Sequence, residues 1–247
     1  MVAINRRIID IHTHIIPGID DGARDMEEAC RLLELAASQG VTAVMATPHG
    51  ATPYGHNICQ PAKLEEKLEA LQCTAKERHL DIALFLGQET FYHEELVEEL
   101  KEGTALTLNG SRYVLVEFLP TVPYHTLFYG LRQLLLAGYV PVLAHMERYL
   151  CLRIQENLYD LLGCGCKLQM NYECLSGSRF SQEVRWCRRQ VKQGKIHLLA
   201  TDMHRADSRP PRIRKTMEWL ESHVDSELIE QMTYGNPNRI IENKKMD

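Results

Sequence analysis

Strand-like and helix-like stretches alternate along nearly the whole chain, and the strand-like ones are unbroken apolar runs. The strand candidates are Ile8-Ile9-Asp10-Ile11-His12 and residues 41–47, 82–86, 113–118, 140–144, 167–171 and 196–200, with a short edge strand expected at 104–108. Apolar residues recur at helical spacing over 27–39, 62–79, 127–137, 157–162 and 182–193, and three further helical segments, 212–223, 225–232 and 236–242, close the chain. A strand that is apolar throughout is covered on both faces. Strands that alternate with helices form parallel βα units with right-handed crossovers. The fold class is therefore α/β, a closed or nearly closed β/α barrel of about seven strands. No repeat, linker or low-complexity stretch divides it, so a single domain over residues 1–247 is expected.

The chain has 247 residues, 45% of them hydrophobic, enough for one large core. A net charge of −5 excludes a general nucleic-acid-binding surface. No run approaches the roughly 18 apolar residues of a membrane span. Residues 1–7 lead straight into the first strand without an apolar leader, so a cytoplasmic location and no membrane insertion are expected.

The polar residues able to bind a metal fall at one end of their strands. His12 and His14, two residues apart, emerge together on one strand face. His49 follows the second strand, Glu89 the third, Glu117 the fourth, His145 the fifth, and Asp202 and His204 the last. Asp21, on the loop after the first strand, can lean over the same end. In a β/α barrel these C-terminal strand ends form one mouth, where active sites lie. Each residue alone has a plain structural reading, as a hydrogen-bonded core histidine or a carboxylate capping a helix. Nine of them converging without a cation would leave several negative charges buried side by side, which is costly. One zinc takes about four ligands. Nine suit two or three divalent ions about 3.5–4 Å apart. Imidazole and carboxylate without thiolate suit Mn, Fe, Zn or Mg. Clustered ions of this kind activate water and clamp phosphate oxygens, which favours phosphoester hydrolysis. Arg148, three residues after His145, and Arg209, five after His204 and stiffened by Pro210-Pro211, are placed to hold the ester oxygens.

The eight cysteines are scattered, with Cys164-Gly165-Cys166 the one close pair and no CxxC spacing. They read as reduced, packed thiols. Cys59, Cys73, Cys151 and Cys174 all lack an arginine six residues on, so no cysteine-dependent phosphatase motif is present.

In chain order stand His12-Thr13-His14, Asp20-Asp21-Gly22, Thr47-Pro48-His49, Gly87-Gln88-Glu89, Val116-Glu117-Phe118, Ala144-His145-Met146-Glu147-Arg148-Tyr149, Thr201-Asp202-Met203-His204, Arg209-Pro210-Pro211 and Asn236-Pro237-Asn238-Arg239-Ile240. This set resembles the polymerase and histidinol phosphatase (PHP) superfamily. Within it, the chain is most similar to the manganese-dependent bacterial protein-tyrosine phosphatases of capsule and exopolysaccharide operons. The resemblance implies a distorted seven-stranded (β/α)7 barrel and a trinuclear centre. One ion would be held by His12, His14, Glu89 and Asp202, a second by Glu89, Glu117 and His145, and a third by Asp21, His49 and His204. Arg148 and Arg209 would bind the phosphate while a metal-bound hydroxide attacks it. The implied substrate is the phosphotyrosine tail of a bacterial tyrosine kinase that regulates capsular or exopolysaccharide synthesis. Oligomeric state is left open, a homo-oligomer included. Tyr54 and His56, and Tyr124 and His125, are further candidates to border the pocket. The competing readings are a phosphatase of a small phosphoester such as histidinol phosphate, a metal-dependent amidohydrolase, and a non-catalytic protein that keeps its metals for structure.

Overall fold

A computed structural model of the chain describes residues 7–50, 52 and 60–246. Its strands are β1 (Ile8–Thr13), β2 (Val41–Ala46), β3 (Ala83–Leu86), β4 (Glu89–Phe91), β5 (Tyr113–Glu117), β6 (Val140–Leu143), β7 (Lys167–Asn171) and β8 (Leu198–Ala200). Its helices are α1 (Met26–Ala37), α2 (Pro61–Glu77), α3 (Leu96–Glu102), α4 (Tyr124–Leu136), α5 (Gln155–Cys164), α6 (Gln182–Lys192), α7 (Arg214–His223), α8 (Ser226–Glu230) and α9 (Asn236–Ile241). The helices start and stop where local chemistry directs. Asp25 accepts the Glu28 N–H to cap α1, and Ser181 accepts the Val184 N–H to cap α6. Gly165, with φ 99°, ends α5 in the left-handed region.

All strand pairs are parallel, in two sheets ordered β1-β2-β3 and β4-β5-β6-β7-β8. The sheets meet along two seams. At one, the Asp202 N–H donates to the His12 carbonyl and the His14 N–H to the Met203 carbonyl, both at 2.9 Å. At the other, the Gly50 N–H donates to the Glu89 carbonyl at 2.8 Å. β3 and β4 are separated only by Gly87-Gln88.

Alternate residues of each strand go to different clusters. Val44, Val114, Val116, Leu143, Leu168 and Leu199 pack with the helices in the larger one. Ala43, Met45, Leu115, Val142, Leu198 and Ala200 form a smaller cluster on the opposite face, with Ile240 of α9. The continuous apolar runs are thus strands buried on both sides, as their pattern required.

Three local expectations are corrected. Residues 104–108 are not a strand. The Leu106 N–H goes to the Gln88 side chain at 3.0 Å, and the chain then turns at Asn109 and Gly110, with φ of 53° and 63°. Glu89 does not end the third strand but opens β4. The helix expected over 225–232 stops at Glu230 and continues as one wide turn, Gln231–Gly235, before α9. Among the described residues, no helix is long and apolar enough to cross a membrane.

Candidate metal centre

All nine residues expected at the mouth join one network of contacts. Glu89 lies at the centre. Its Oε2 is 3.2 Å from His12 Nε2, 3.3 Å from His14 Nε2 and 3.2 Å from His49 Nδ1, and its Oε1 is 2.9 Å from His145 Nε2. Asp202 Oδ1 stands 3.5 Å from His12 Nε2 and 3.6 Å from His14 Nε2. Glu117 approaches His145 Nε2 at 3.5 Å and His49 Nδ1 at 3.6 Å. Asp21 Oδ1 is 3.5 Å from both His49 Nε2 and His204 Nε2. His12 and His14 are fully buried at the floor, and Asp21 is the most exposed member.

Backbone geometry aims two of these side chains. His145 and Asp202 follow β6 and β8 with φ of 33° and 53°, in the left-handed region that costs an L-residue of this kind about 1–3 kcal/mol. Surrounding structure holds them there. At Asp202 the restraint is its N–H bond to the His12 carbonyl.

The charge state of the cluster follows from these contacts. Burial opposes ionisation of Glu89, but His12, His14 and His145 outweigh it and hold the carboxyl well below the usual range. Asp202 is lowered in the same way, against its burial, by His12 and Arg148. His49 holds Asp21 down at about 2. Burial pushes His204 down to about 3, helped by the neighbouring His14 charge. Buried carboxylates thus stand ionised beside imidazoles.

The donors fit divalent cations. Two ligands each about 2.1 Å from one ion, at octahedral or tetrahedral angles, lie roughly 3.0–3.4 Å apart. The contacts around Glu89 match that spacing. The donor atoms gather in three groups, each within 4.8 Å: His12, His14 and Asp202; His49, Glu89 and Glu117; and His14, Asp21, His49 and His204. The grouping differs from the implied sets: Glu89 falls with His49 and Glu117 rather than with His12, His14 and Asp202, His14 joins Asp21, His49 and His204, and His145 belongs to none of the three but reaches Glu89 and Glu117.

Both expected arginines reach the cluster. Arg148 Nη2 donates to Asp202 Oδ2 at 2.6 Å, and Arg209 Nη2 pairs with the same oxygen. Arg209 Nη1 donates to His204 Nε2 at 3.0 Å. The two guanidinium groups line a pocket of about 260 Å³ with Asp21, His49, Glu89, Glu117, His145, Asp202 and His204. No described cysteine lines it. Tyr124 and His125 do not line it either; Tyr124 donates to Asp160 of α5 at 3.3 Å. Tyr54, His56 and Cys59 lie outside the described residues.

Asp20 is a site residue that sequence reasoning passed over. Its Oδ2 accepts from His14 Nδ1 at 2.7 Å and from the His49 N–H at 3.0 Å, and its Oδ1 accepts from the Gly22 N–H at 2.9 Å. A carboxylate on the far ring nitrogen orients a ligating histidine and raises its basicity. The Asp-Asp-Gly triplet was the available signal, but it does not say which carboxylate turns inward. Asp10 was passed over as well: it accepts from the Thr201 N–H at 3.0 Å and so fastens the turn that carries Asp202. Its signal was an acid inside an otherwise apolar strand.

A profile of the family described as "Capsular polysaccharide synthesis, CpsB/CapC" matches residues 8–242. The chain belongs to the CpsB/CapC family. It is 31% identical over 240 residues to "Tyrosine-protein phosphatase CpsB" of Streptococcus pneumoniae, covering 95% of this chain and 98% of that one. It is 33% identical over 232 residues to "Tyrosine-protein phosphatase YwqE" of Bacillus subtilis, covering 92% and 89%. One chain from the crystal structures of YwqE and CpsB, described as unique metal-dependent tyrosine phosphatases, superposes with a TM-score of 0.87 at 30% identity, covering 97% and 96%. A TIM-barrel protein of Bordetella bronchiseptica gives 0.56 at 12% identity, a likeness of fold alone. The membership in the CpsB/CapC family agrees with the resemblance drawn from the motifs.

Proposed function

We propose that this member of the CpsB/CapC family is a metal-dependent protein-tyrosine phosphatase. Its substrate is phosphotyrosine in the tail of a bacterial tyrosine kinase that regulates capsular or exopolysaccharide synthesis. The observation that carries this reading is the convergence of two guanidinium groups and seven donor residues on one pocket, with His12 and His14 in contact with Glu89 beneath it. It is supported by relatives, named as tyrosine phosphatases, that are about a third identical over almost the whole chain. The domain is a single one over residues 1–247, and its two sheets make a distorted seven-stranded barrel of the PHP type if β3 and β4 count as one interrupted strand.

His12, His14, Asp21, His49, Glu89, Glu117, His145, Asp202 and His204 are the metal ligands, with Glu89 shared. They take two or three divalent ions, manganese first and Fe, Zn or Mg as substitutes. When bound, such ions supply a strong oxygen nucleophile at neutral pH and neutralise phosphate charge. Arg148 and Arg209 act on the substrate itself. Each donates N–H groups to non-bridging phosphate oxygens, holding the ester in line and taking up charge in the transition state. Asp202 prepares both arginines, because its Oδ2 holds the two guanidinium groups at the pocket wall.

Hydrolysis of p-nitrophenyl phosphate and of a phosphotyrosine peptide should require added Mn²⁺ and stop with a chelator. Histidinol phosphate should be a much poorer substrate than the peptide. Faster turnover of histidinol phosphate would move the chain to the small-phosphoester reading. No turnover of any phosphoester with Mn²⁺ bound would leave only a metal-binding protein.

A further inference from the structure

β7 supplies none of the nine donors, yet its sequence departs from that of its neighbours. Leu168 and Met170 join the larger cluster with the helices, so Gln169 and Asn171 face the other way. On that face β5, β6 and β8 present Leu115, Val142, Leu198 and Ala200. Both amides are buried. An unpaired amide there would cost about 1–3 kcal/mol.

The partners of Gln169 fix its orientation. Its Oε1 accepts from the His145 backbone N–H at 2.7 Å. A backbone N–H only donates, so the atom facing it is the oxygen. The same Oε1 lies 3.1 Å from His12 Nδ1. An amide oxygen carries no proton, so Nδ1 must carry one. The neutral His12 ring then has its lone pair on Nε2, the atom 3.2 Å from Glu89 and 3.5 Å from Asp202. With the oxygen fixed, Gln169 Nε2 donates to Asn171 Oδ1 at 2.9 Å. That in turn leaves Asn171 Nδ2 to donate to Asp202 Oδ2 at 3.0 Å. The direction of every bond follows from one backbone N–H.

We infer that Gln169 and Asn171 are a positioning pair: they set the tautomer of His12 and hold the Asp202 carboxylate so that both offer bare donor atoms to a cation. Neither lines the pocket, so neither touches substrate. The inference rests on the reading of His12 and Asp202 as metal ligands.

The test is Mn²⁺ affinity, measured by competition with a metallochromic chelator on the full chain, with circular dichroism in chelator as the check on folding. Gln169→Leu removes the acceptor and should weaken Mn²⁺ binding by about 10–100-fold. Gln169→Glu keeps an oxygen for both the His145 N–H and His12 Nδ1 but loses the donor to Asn171 Oδ1, and should restore binding in part, to the level of Asn171→Ala. A filler of space alone predicts the opposite, since a buried charge would then be as harmful as leucine. Asn171→Ala should weaken binding by about tenfold. Undiminished affinity in Gln169→Leu, or a Gln169→Glu variant as weak as Gln169→Leu, would overturn the inference. If Gln169→Leu does not fold, Gln169→Glu and Asn171→Ala decide: a loss of about tenfold in each supports the pair, and any other combination sinks it. An unaltered chain that takes up no Mn²⁺ would instead remove the metal reading, and the inference with it.

Discussion

Arg209 and Gly22 show how much rests on single residues at this site. Arg209 touches both Asp202 and His204 but is not a metal donor in the proposed site. Its replacement by Ala should therefore lower turnover of a phosphotyrosine peptide by about 10²–10³-fold, the range for losing one preorganised charge-stabilising donor. Metal content by elemental analysis should be unchanged, and unaltered turnover would take Arg209 out of the mechanism. Gly22 is fixed by space. A Cβ there would stand 2.0 Å from the His14 carbonyl oxygen and 2.8 Å from Asp20 Oδ1. Gly22→Ala must move the strand end that carries His14, so weaker Mn²⁺ binding and a lower melting temperature are expected. A variant that matches the unaltered chain in both would show that the loop yields without cost. That Arg148, Arg209 and the nine candidate donors meet at one end of the sheets was legible because their chemistry is uncommon at strand ends. Asp20 was not, because Asp20 and Asp21 are chemically identical neighbours and only the turn decides which one meets His14.

At the scale of elements, the pairing of β7 with β8 carries a pH dependence. The Leu168 N–H donates to His197 Nδ1 at 3.1 Å, so that nitrogen must keep its lone pair. Burial, with the Lys167 charge, pushes the imidazole from the ordinary 6.5 down to about 4. The folded chain thus holds His197 neutral while the unfolded chain binds a proton below pH 6.5. Stability from this residue is complete above pH 6.5 and is lost as pH falls through 6.5 toward 4. The loss is on the order of 3 kcal/mol at 1.36 kcal/mol per unit. Urea unfolding in chelator at pH 7 and pH 4.5 should show it, and His197→Asn, which keeps an acceptor but does not titrate, should reduce the difference. An equal pH effect in both proteins would assign the loss elsewhere. The strand order and helix faces were readable because periodicity and apolar content suffice for them. The absence of a strand at 104–108 was not, because the Gln88 side chain takes the Leu106 N–H, a contact no local pattern encodes.

At the scale of the molecule, the donor cluster joins the two sheets. Glu89 belongs to β4, while His12 comes from β1 and His49 follows β2. Cations bound there link both sheets and relieve the repulsion between the buried Glu89 and Asp202 carboxylates. Mn²⁺ should therefore raise the melting temperature progressively, by an amount equivalent to about 2.7 kcal/mol at a hundredfold excess over its dissociation constant. A chelator should reverse the gain. A melting temperature indifferent to Mn²⁺ and to chelator would show that the folded state holds no such ion.

The sequence alone determined the α/β class, the parallel order of units and the identity of the residues that gather at the mouth. Those follow from hydrophobic period and from the chemistry of side chains, which are local properties. Which carboxylate of the Asp-Asp-Gly triplet faces His14, how His49 is shared and which way the amides of β7 point were decided by tertiary structure. Each depends on a backbone N–H or a ring nitrogen brought close by parts of the chain distant in sequence. Hydrogen-bond direction is fixed only once both partners are in place.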